Sequence, residues 1–525
     1  MPSRNTQMTS VLAFACIILA AGCILWPTGA KAAPFRYFGF DTMSMAGANA
    51  DVAYGNSYGV VYSNPALMSR FEPALGVNLM VFTEQFNIDL MDRPRAADIS
   101  TLYYDTQVSN YTQNGDRALA TQELSSRSRK NTKNDDTMFY VGLGTTYSFG
   151  IDGFRLGGLL MLPVVHRIGG KTVFAQVDMG MRYYDEREQY YTNQLHFARF
   201  GEWQRILTGL LGVSYSPIKQ LSIGVSAQLS ATSKADLNLY IPEVTVEDYG
   251  LNNIDMKLGL TARPIVGIQA EPLEWLALGL VWKGESYISV DGKGGLNLYN
   301  YHETYTNQKD QRTIPKRVNQ KYKFAIDYEP MEVNASIGAR YKTWNIQGVM
   351  SWDRWSKFKD EHNETPQKAV AYNPVNPGDP IINGKAFRWS DTLNVSVNTS
   401  WKYLETTEAK IGFAYRPSPV PAQVGRTSYA DADAWGISAG HHFEFEEDFS
   451  FDLGFQFWSL LSRKVYKDPR LMRDEFPDGS ATNSGAEGNQ AVATAQGVQT
   501  NNPGFPGYSL NGWQIVVSAA VSYKF

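Results

Sequence analysis

Apolar and polar residues alternate without interruption over the last thirteen positions of the chain. Trp513, Ile515, Val517, Ala519, Val521, Tyr523 and Phe525 share one face, and Gln514, Ser518, Ser522 and Lys524 fall on the other. Period two is the signature of a β-strand, and few soluble sheets use strands this long. A strand that crosses a membrane needs about 9–11 tilted residues, carries aromatics at both interfaces and turns its polar side to a lumen. Trp513 and the pair Tyr523/Phe525 stand where two such girdles would lie.

The same reading predicts fourteen strands, at 74–90, 138–150, 154–166, 201–216, 221–231, 254–270, 275–290, 332–341, 344–355, 391–403, 408–417, 434–445, 449–461 and 513–525. In the strand at 221–231, Leu221, Ile223, Val225, Ala227 and Leu229 oppose Ser222, Gly224, Ser226, Gln228 and Ser230. Links of hairpin length, such as Ile151-Asp152-Gly153, Lys342-Thr343 and 446–448, take turns with long polar stretches at 91–137, 167–200, 291–331, 356–390 and 462–512. That rhythm is the one expected of outer-membrane barrels, with short periplasmic turns, long extracellular loops and an even strand number. A β-propeller would not alternate its links in this way. The fold class is therefore all-β, a 14-stranded antiparallel transmembrane β-barrel.

The amino terminus supports this compartment. Arg4 precedes an apolar run over 11–26 and the small-residue site Ala30-Lys31-Ala32, the pattern of a cleavable secretory signal over residues 1–32. Cys23 leaves open a second reading, processing as a lipoprotein. Both cysteines, Cys16 and Cys23, lie in this segment, so cleavage after Ala32 leaves no thiol and no disulfide framework. Elsewhere there is no apolar run of the roughly 20 residues that a membrane helix needs. The formal net charge is −4 over 525 residues, which gives no reason to expect a nucleic-acid partner.

Residues 33–73 fit neither a long strand nor a linker, and small residues cluster in them at 45–50 and 64–67. Fourteen strands make a barrel wider than side chains alone can fill. A compact segment packed inside would close it, so 33–73 is expected to be an N-terminal hatch and 74–525 the barrel.

Here the chain resembles the FadL/TodX-type outer-membrane transporters. The resemblance rests on Ala46-Gly47-Ala48, Asp51, Ala53 and Ser63-Asn64-Pro65-Ala66, then on 352–358 (WDRWSKF) and 413–421 (FAYRPSPVP), and continues through 430–435. It implies a barrel plugged by its hatch that imports long-chain fatty acids or other hydrophobic compounds passively. The expected route is capture at the loops, passage beside the hatch and lateral release through the wall. It also implies an outer-membrane monomer, with the hydrophobic small molecule and the surrounding lipid, including lipopolysaccharide, as its partners. The loops 91–137 and 462–512 look long for the family. A surface adhesion or structural barrel is the second reading.

The chemistry of an enzyme is not assembled. His166, His196, His302, His362, His441 and His442 form no metal-binding spacing, and no nucleophile elbow or phosphate loop is present. No metal, cofactor or nucleotide is called for. Asn64-Pro65-Ala66 should form a tight turn in the hatch, since Pro fixes φ and Asn tolerates unusual backbone angles. Gly157, Gly158 and Pro163, which weaken a strand ladder, mark either a lateral opening in the third strand or an ordinary bulge near its end. The run Arg127, Arg129, Lys130 and Lys133 reads as a solvated face or a lipopolysaccharide contact. A fatty-acid carboxylate would want a cation, and Arg155, Lys257 and Lys283 are candidates by their strand positions.

Overall fold

The computed structural model describes residues 38–91, 132–163, 207–231, 235–243, 248–257, 260–299, 316–358, 389–424, 431–446, 448–468 and 506–525. The expected signal 1–32 with Cys23, the cations Arg127, Arg129 and Lys130, and His166, His196, His302 and His362 lie outside the described residues.

Fourteen antiparallel strands close into a barrel. They are β1 (Ala74–Leu90), β2 (Thr132–Tyr147), β3 (Phe154–Pro163), β4 (Leu207–Ile218), β5 (Leu221–Ala231), β8 (Leu260–Leu273), β9 (Leu276–Lys283), β12 (Glu332–Tyr341), β13 (Trp344–Asp353), β14 (Thr392–Leu404), β15 (Thr407–Arg416), β16 (Ala434–Glu446), β17 (Phe449–Tyr466) and β18 (Gly507–Lys524). Each corresponds to a strand expected from the alternation. The barrel seals where β18 pairs with β1 over the full length of β1, from Ala74 opposite Lys524 to Leu90 opposite Tyr508.

Alternation decides what each wall residue faces. In β17, Phe451, Leu453, Phe455 and Phe457 point outward while Ser450, Asp452, Gly454, Gln456 and Trp458 are buried inside. Closure leaves no strand edge in lipid, which is what an apolar solvent demands of a backbone. On the rim of short links Trp344 stacks on Trp401 at 5.2 Å, with Tyr403 beside it, and Phe449, Tyr523 and Phe525 follow one another at 4.8 and 6.2 Å. This is the aromatic girdle that such barrels place at an interface.

Four further strands form a second sheet. These are β6 (Ala235–Glu243), β7 (Asp248–Lys257), β10 (Ser286–Tyr299) and β11 (Lys316–Glu329), ordered β11-β10-β7-β6. The order repeats that of the barrel strands β12-β9-β8-β5, each of which adjoins its counterpart in sequence. The sheet therefore prolongs four barrel strands beyond the rim of long connections. This corrects three expectations: 291–331 is not all loop, and neither 254–270 nor 275–290 is one strand, each being shared between the barrel and the second sheet. Once a strand leaves lipid its outer face no longer has to be apolar, so the alternation that marks the barrel fades there. Likewise β2 begins within the expected loop 91–137, and β17 and β18 run into 462–512.

Candidate functional site

The described part of the amino-terminal segment, from Phe38 to Phe71, lies inside the barrel. Its short helices α1 (Thr42–Ala46) and α2 (Val60–Ser63) are wholly buried. Asp41 caps α1, its Oδ1 accepting from the backbone N–H groups of Met43 and Ser44 at 2.9 Å each. Asn64 ends α2 and opens a 3-10 turn at Pro65–Arg70. Its Oδ1 accepts from Ala66 N at 3.1 Å, and its Nδ2 donates to Val52 O at 2.7 Å and to Ile268 O of the wall at 3.3 Å. The expected tight turn at Asn64-Pro65-Ala66 is thus a joint between two plug segments and the barrel.

The wall meets the plug through glycine. Gly76 and Gly144 face each other across β1 and β2 and receive the Tyr58 ring; Gly224 and Gly267 pair across β5 and β8 against Asn64 and Pro65; Gly440 and Gly454 pair across β16 and β17 against α1. A Cβ at Gly224 or Gly279 would come closer than 3.0 Å to plug backbone, at Pro65 and Val52 respectively. Backbone cannot step aside as a side chain can, so only glycine permits this approach. Gly157 belongs to the same belt, lying against Met68 and Val61.

Where the belt lacks glycine, polar side chains hold the plug. Gln347 Nε2 donates to Asp51 at 3.2 Å and to Tyr54 O at 3.0 Å, and Asn398 Nδ2 donates to Asp51 at 3.0 Å and to Gly47 O at 3.2 Å. Lys410 Nζ reaches both Asp51 oxygens at 2.7 and 2.8 Å. Burial pushes the Asp51 carboxyl above its ordinary value, and the Lys410 charge pulls it back.

Above the plug the lumen has two faces. On β1 to β4, β17 and β18 the inward residues include the apolar Met80, Phe82, Tyr140, Met161, Leu210, Trp458, Leu460 and Leu510, with Thr208 and Gln514 among them. On β8, β9 and β12 they are charged: Arg263 and Lys283 stand against Glu332 at 3.5 and 3.1 Å, and Arg263 lies 3.6 Å from Glu329. Lys283 Nζ also sits 3.8 Å from the centre of the plug's Tyr62 ring. Between the two faces a small cavity continuous with solvent is lined by Lys283, Glu332, Asn334, Ser351, Asn394, Ser396 and Arg416 together with Val52, Val349, Ala414 and Trp458. The Arg416 guanidinium lies 4.7 Å from the Trp458 ring.

The three carboxylate-binding candidates are not brought together. Lys283 lines the cavity. Arg155 is at the opposite end, where its Nη1 donates to Ser148 Oγ at 3.0 Å beside a short link. Lys257 lies outside the barrel, opposite Asp291 in the second sheet. Arg263, Lys410 and Arg416 were missed, although each is a charged residue at an inward position of a strand, a parity that the alternation itself supplies. The third strand stays paired on both sides at Gly157 and Gly158; with β4 its pairing runs to Met161, and with β2 to Pro163. His441 and His442 diverge as expected, one to Tyr403 at 2.6 Å and the other to Asp452 at 2.5 Å.

A sealed fourteen-stranded barrel with a lipid-suited exterior and an internal plug defines a class, the plugged outer-membrane channels. The profile of the family described as outer membrane protein transport protein (OMPP1/FadL/TodX) matches residues 176–500, more than half of the chain. The chain belongs to that family of outer-membrane transport proteins. It is 28% identical over 132 residues to the long-chain fatty acid transport proteins of Salmonella typhi and of Escherichia coli K12. The match spans 25% of this chain and 28% and 27% of those relatives. A Pseudomonas aeruginosa FadL homologue of known structure superposes with a TM-score of 0.51 at 13% identity, covering 95% of this chain and all of that one. At that identity the likeness concerns the fold.

Proposed function

We propose that this barrel takes up amphipathic hydrophobic molecules, foremost long-chain fatty acids, by capture at its outer loops, passage beside the plug and release through the wall. The observation that carries this reading is the two-faced lumen. A bare hydrocarbon would gain from Val52, Val349, Ala414 and Trp458 but would offer no polar contact to Arg416, Asn334 and Asn394 in the same lining. A chain with an acidic head satisfies both faces, the head by a charge-assisted contact and the tail by burial. The name shared by the curated relatives, long-chain fatty acid transport protein, agrees with this choice.

Release fits the end of β3. Pro163, the last residue of β3 and paired with Tyr140 of β2, has no N–H to donate to a neighbouring strand. An opening on this strand therefore begins at Pro163 rather than at the glycines.

A deletion strain should lose growth on, and uptake of, a long-chain fatty acid, and Arg416→Ala should reduce fatty-acid uptake more than uptake of an alkane of equal length. Normal fatty-acid uptake in the deletion strain, accompanied by a defect in surface attachment, would favour an adhesive role instead.

A further inference from the structure

We infer that the cavity above the plug selects acids that carry a hydroxyl group close to the carboxyl end, 3-hydroxy fatty acids foremost, through a row of hydrogen-bond acceptors on β12, β13 and β14. This inference rests on the transport reading and defines the head group of its cargo. In register, Asn334 on β12 stands opposite Ser351 on β13, and Ser351 opposite Asn394 on β14. All three line the cavity. The next row of the same facing, towards the outer rim, is Glu332, Asp353 and Thr392.

Each side-chain donor of the lower row is turned up to a carboxylate of the upper one. Asn334 Nδ2 donates to Glu332 Oε1 at 2.7 Å, Ser351 Oγ to Asp353 Oδ1 at 3.2 Å, and Asn394 Nδ2 to Asp353 Oδ2 at 2.6 Å. Asp353 also accepts from Thr392 Oγ1 at 3.4 Å, while Glu332 faces Lys283 and Arg263 at 3.1 and 3.5 Å. These are the surroundings of ionised carboxylates, which accept hydrogen bonds and give none. They fix which way both amides point, since only the NH₂ side of an asparagine can meet such a partner. What each asparagine has left to offer is its carbonyl oxygen. Neither Oδ1 has a partner among the described residues, and Asn334 is only 4% exposed.

Acceptors on the wall call for a donor on the ligand. A carboxylate has none, so a plain fatty acid matches Arg416 and leaves the two asparagine carbonyls unanswered. A hydroxyl group supplies the missing proton. The β14–β15 ladder ends at Val395 opposite Tyr415, so Asn394 and Arg416 are the next residues along the two strands, and both line the cavity. Neighbouring strands lie about 4.7–4.9 Å apart, a span that suits a carboxylate on Arg416 and a hydroxyl two carbons away on the Asn394 carbonyl. The chain would then lie on Val349, Ala414 and Trp458 of the same lining. A hydroxyl at the far end of the chain cannot make this pair of contacts.

Binding of radiolabelled palmitate, 3-hydroxypalmitate and ω-hydroxypalmitate to the native protein in nanodiscs tests this, with the partition of each acid into empty nanodiscs subtracted. 3-Hydroxypalmitate should bind about 3–10-fold more tightly than palmitate, the worth of one added hydrogen bond, and ω-hydroxypalmitate should show no such gain. Asn334→Leu/Asn394→Leu should abolish the preference. Equal affinities for palmitate and 3-hydroxypalmitate, an equal gain from the ω-hydroxyl, or a preference that survives in the folded double variant would each overturn the inference. If that variant does not fold, the three affinities of the native protein decide. Palmitate binding without a preference removes the head-group assignment alone, whereas failure of all three acids to bind removes the transport reading and the assignment with it.

Discussion

Lys410→Met tests what seats the plug. The substitution keeps the length of the side chain but leaves the Asp51 carboxylate buried without its cation, 0% exposed in the wild-type chain. Stranding such a charge costs about 3–5 kcal/mol. The chain can instead protonate Asp51, which at pH 7 costs about 4 kcal/mol, from an ordinary pKa near 3.9 at about 1.36 kcal/mol per unit. The cheaper route sets the ceiling, and because Asn398 and Gln347 still donate to the carboxylate, the loss should be about 3–4 kcal/mol of plug docking. That lowers the seated-to-loose ratio by a factor of roughly 10²–10³.

The sign with pH follows. In the variant the seated carboxyl binds its proton more readily than the undocked one, so the deficit is largest at neutral pH and shrinks as pH falls. At pH 5 protonation costs only about 1.5 kcal/mol. Single-channel conductance in planar bilayers should show frequent open events for Lys410→Met at pH 7 and fewer at pH 5, and Asp51→Asn/Lys410→Met should be quiet at both. A variant as silent as the wild type at pH 7, or a double variant as leaky as the single one, would refute the reasoning.

Other consequences can be measured on the same preparations. Gly224→Val drives a branched side chain into the Pro65 backbone and should cost about 1–3 kcal/mol as overpacking, whereas Gly348→Ala, whose added Cβ meets its nearest neighbour at 3.9 Å, should be neutral; thermal unfolding in detergent compares them. Asn64→Ala removes a turn cap and the link from Val52 to the wall, and should lower stability by about 1–2 kcal/mol while raising leak conductance, with unaltered conductance arguing against a gating role. Pro163→Val restores an N–H at the end of β3 and should slow fatty-acid uptake without changing the unfolding temperature; uptake at the wild-type rate would remove this strand from the exit route.

Much of the wall was legible in the chain before folding. Whether a residue such as Phe455 or Gln456 faces lipid or lumen is set by the two-residue period of an extended backbone, and lipid enforces that period wherever the strand crosses it. The rhythm of short and long links likewise follows from one rim lying at each membrane face. The site was legible only in part. Lys283 was reachable from its strand position, but Arg155 and Lys257 have the same local signature and lie at the far rim and outside the barrel. A candidate's height along the barrel depends on the register of every strand between, which no local pattern records.

Local pattern along the chain therefore sets a fourteen-stranded wall, its facing, and a small-residue segment suited to fill it, because these depend on residues within a few positions of each other. How the plug is held is a property of the closed barrel, since Asp51 and Lys410 are 359 residues apart and meet through its closure. It alone decided that belt glycines on strands far apart in the chain stand at one level. Those facts belong to pairings between distant segments, which exist only once the cylinder is complete.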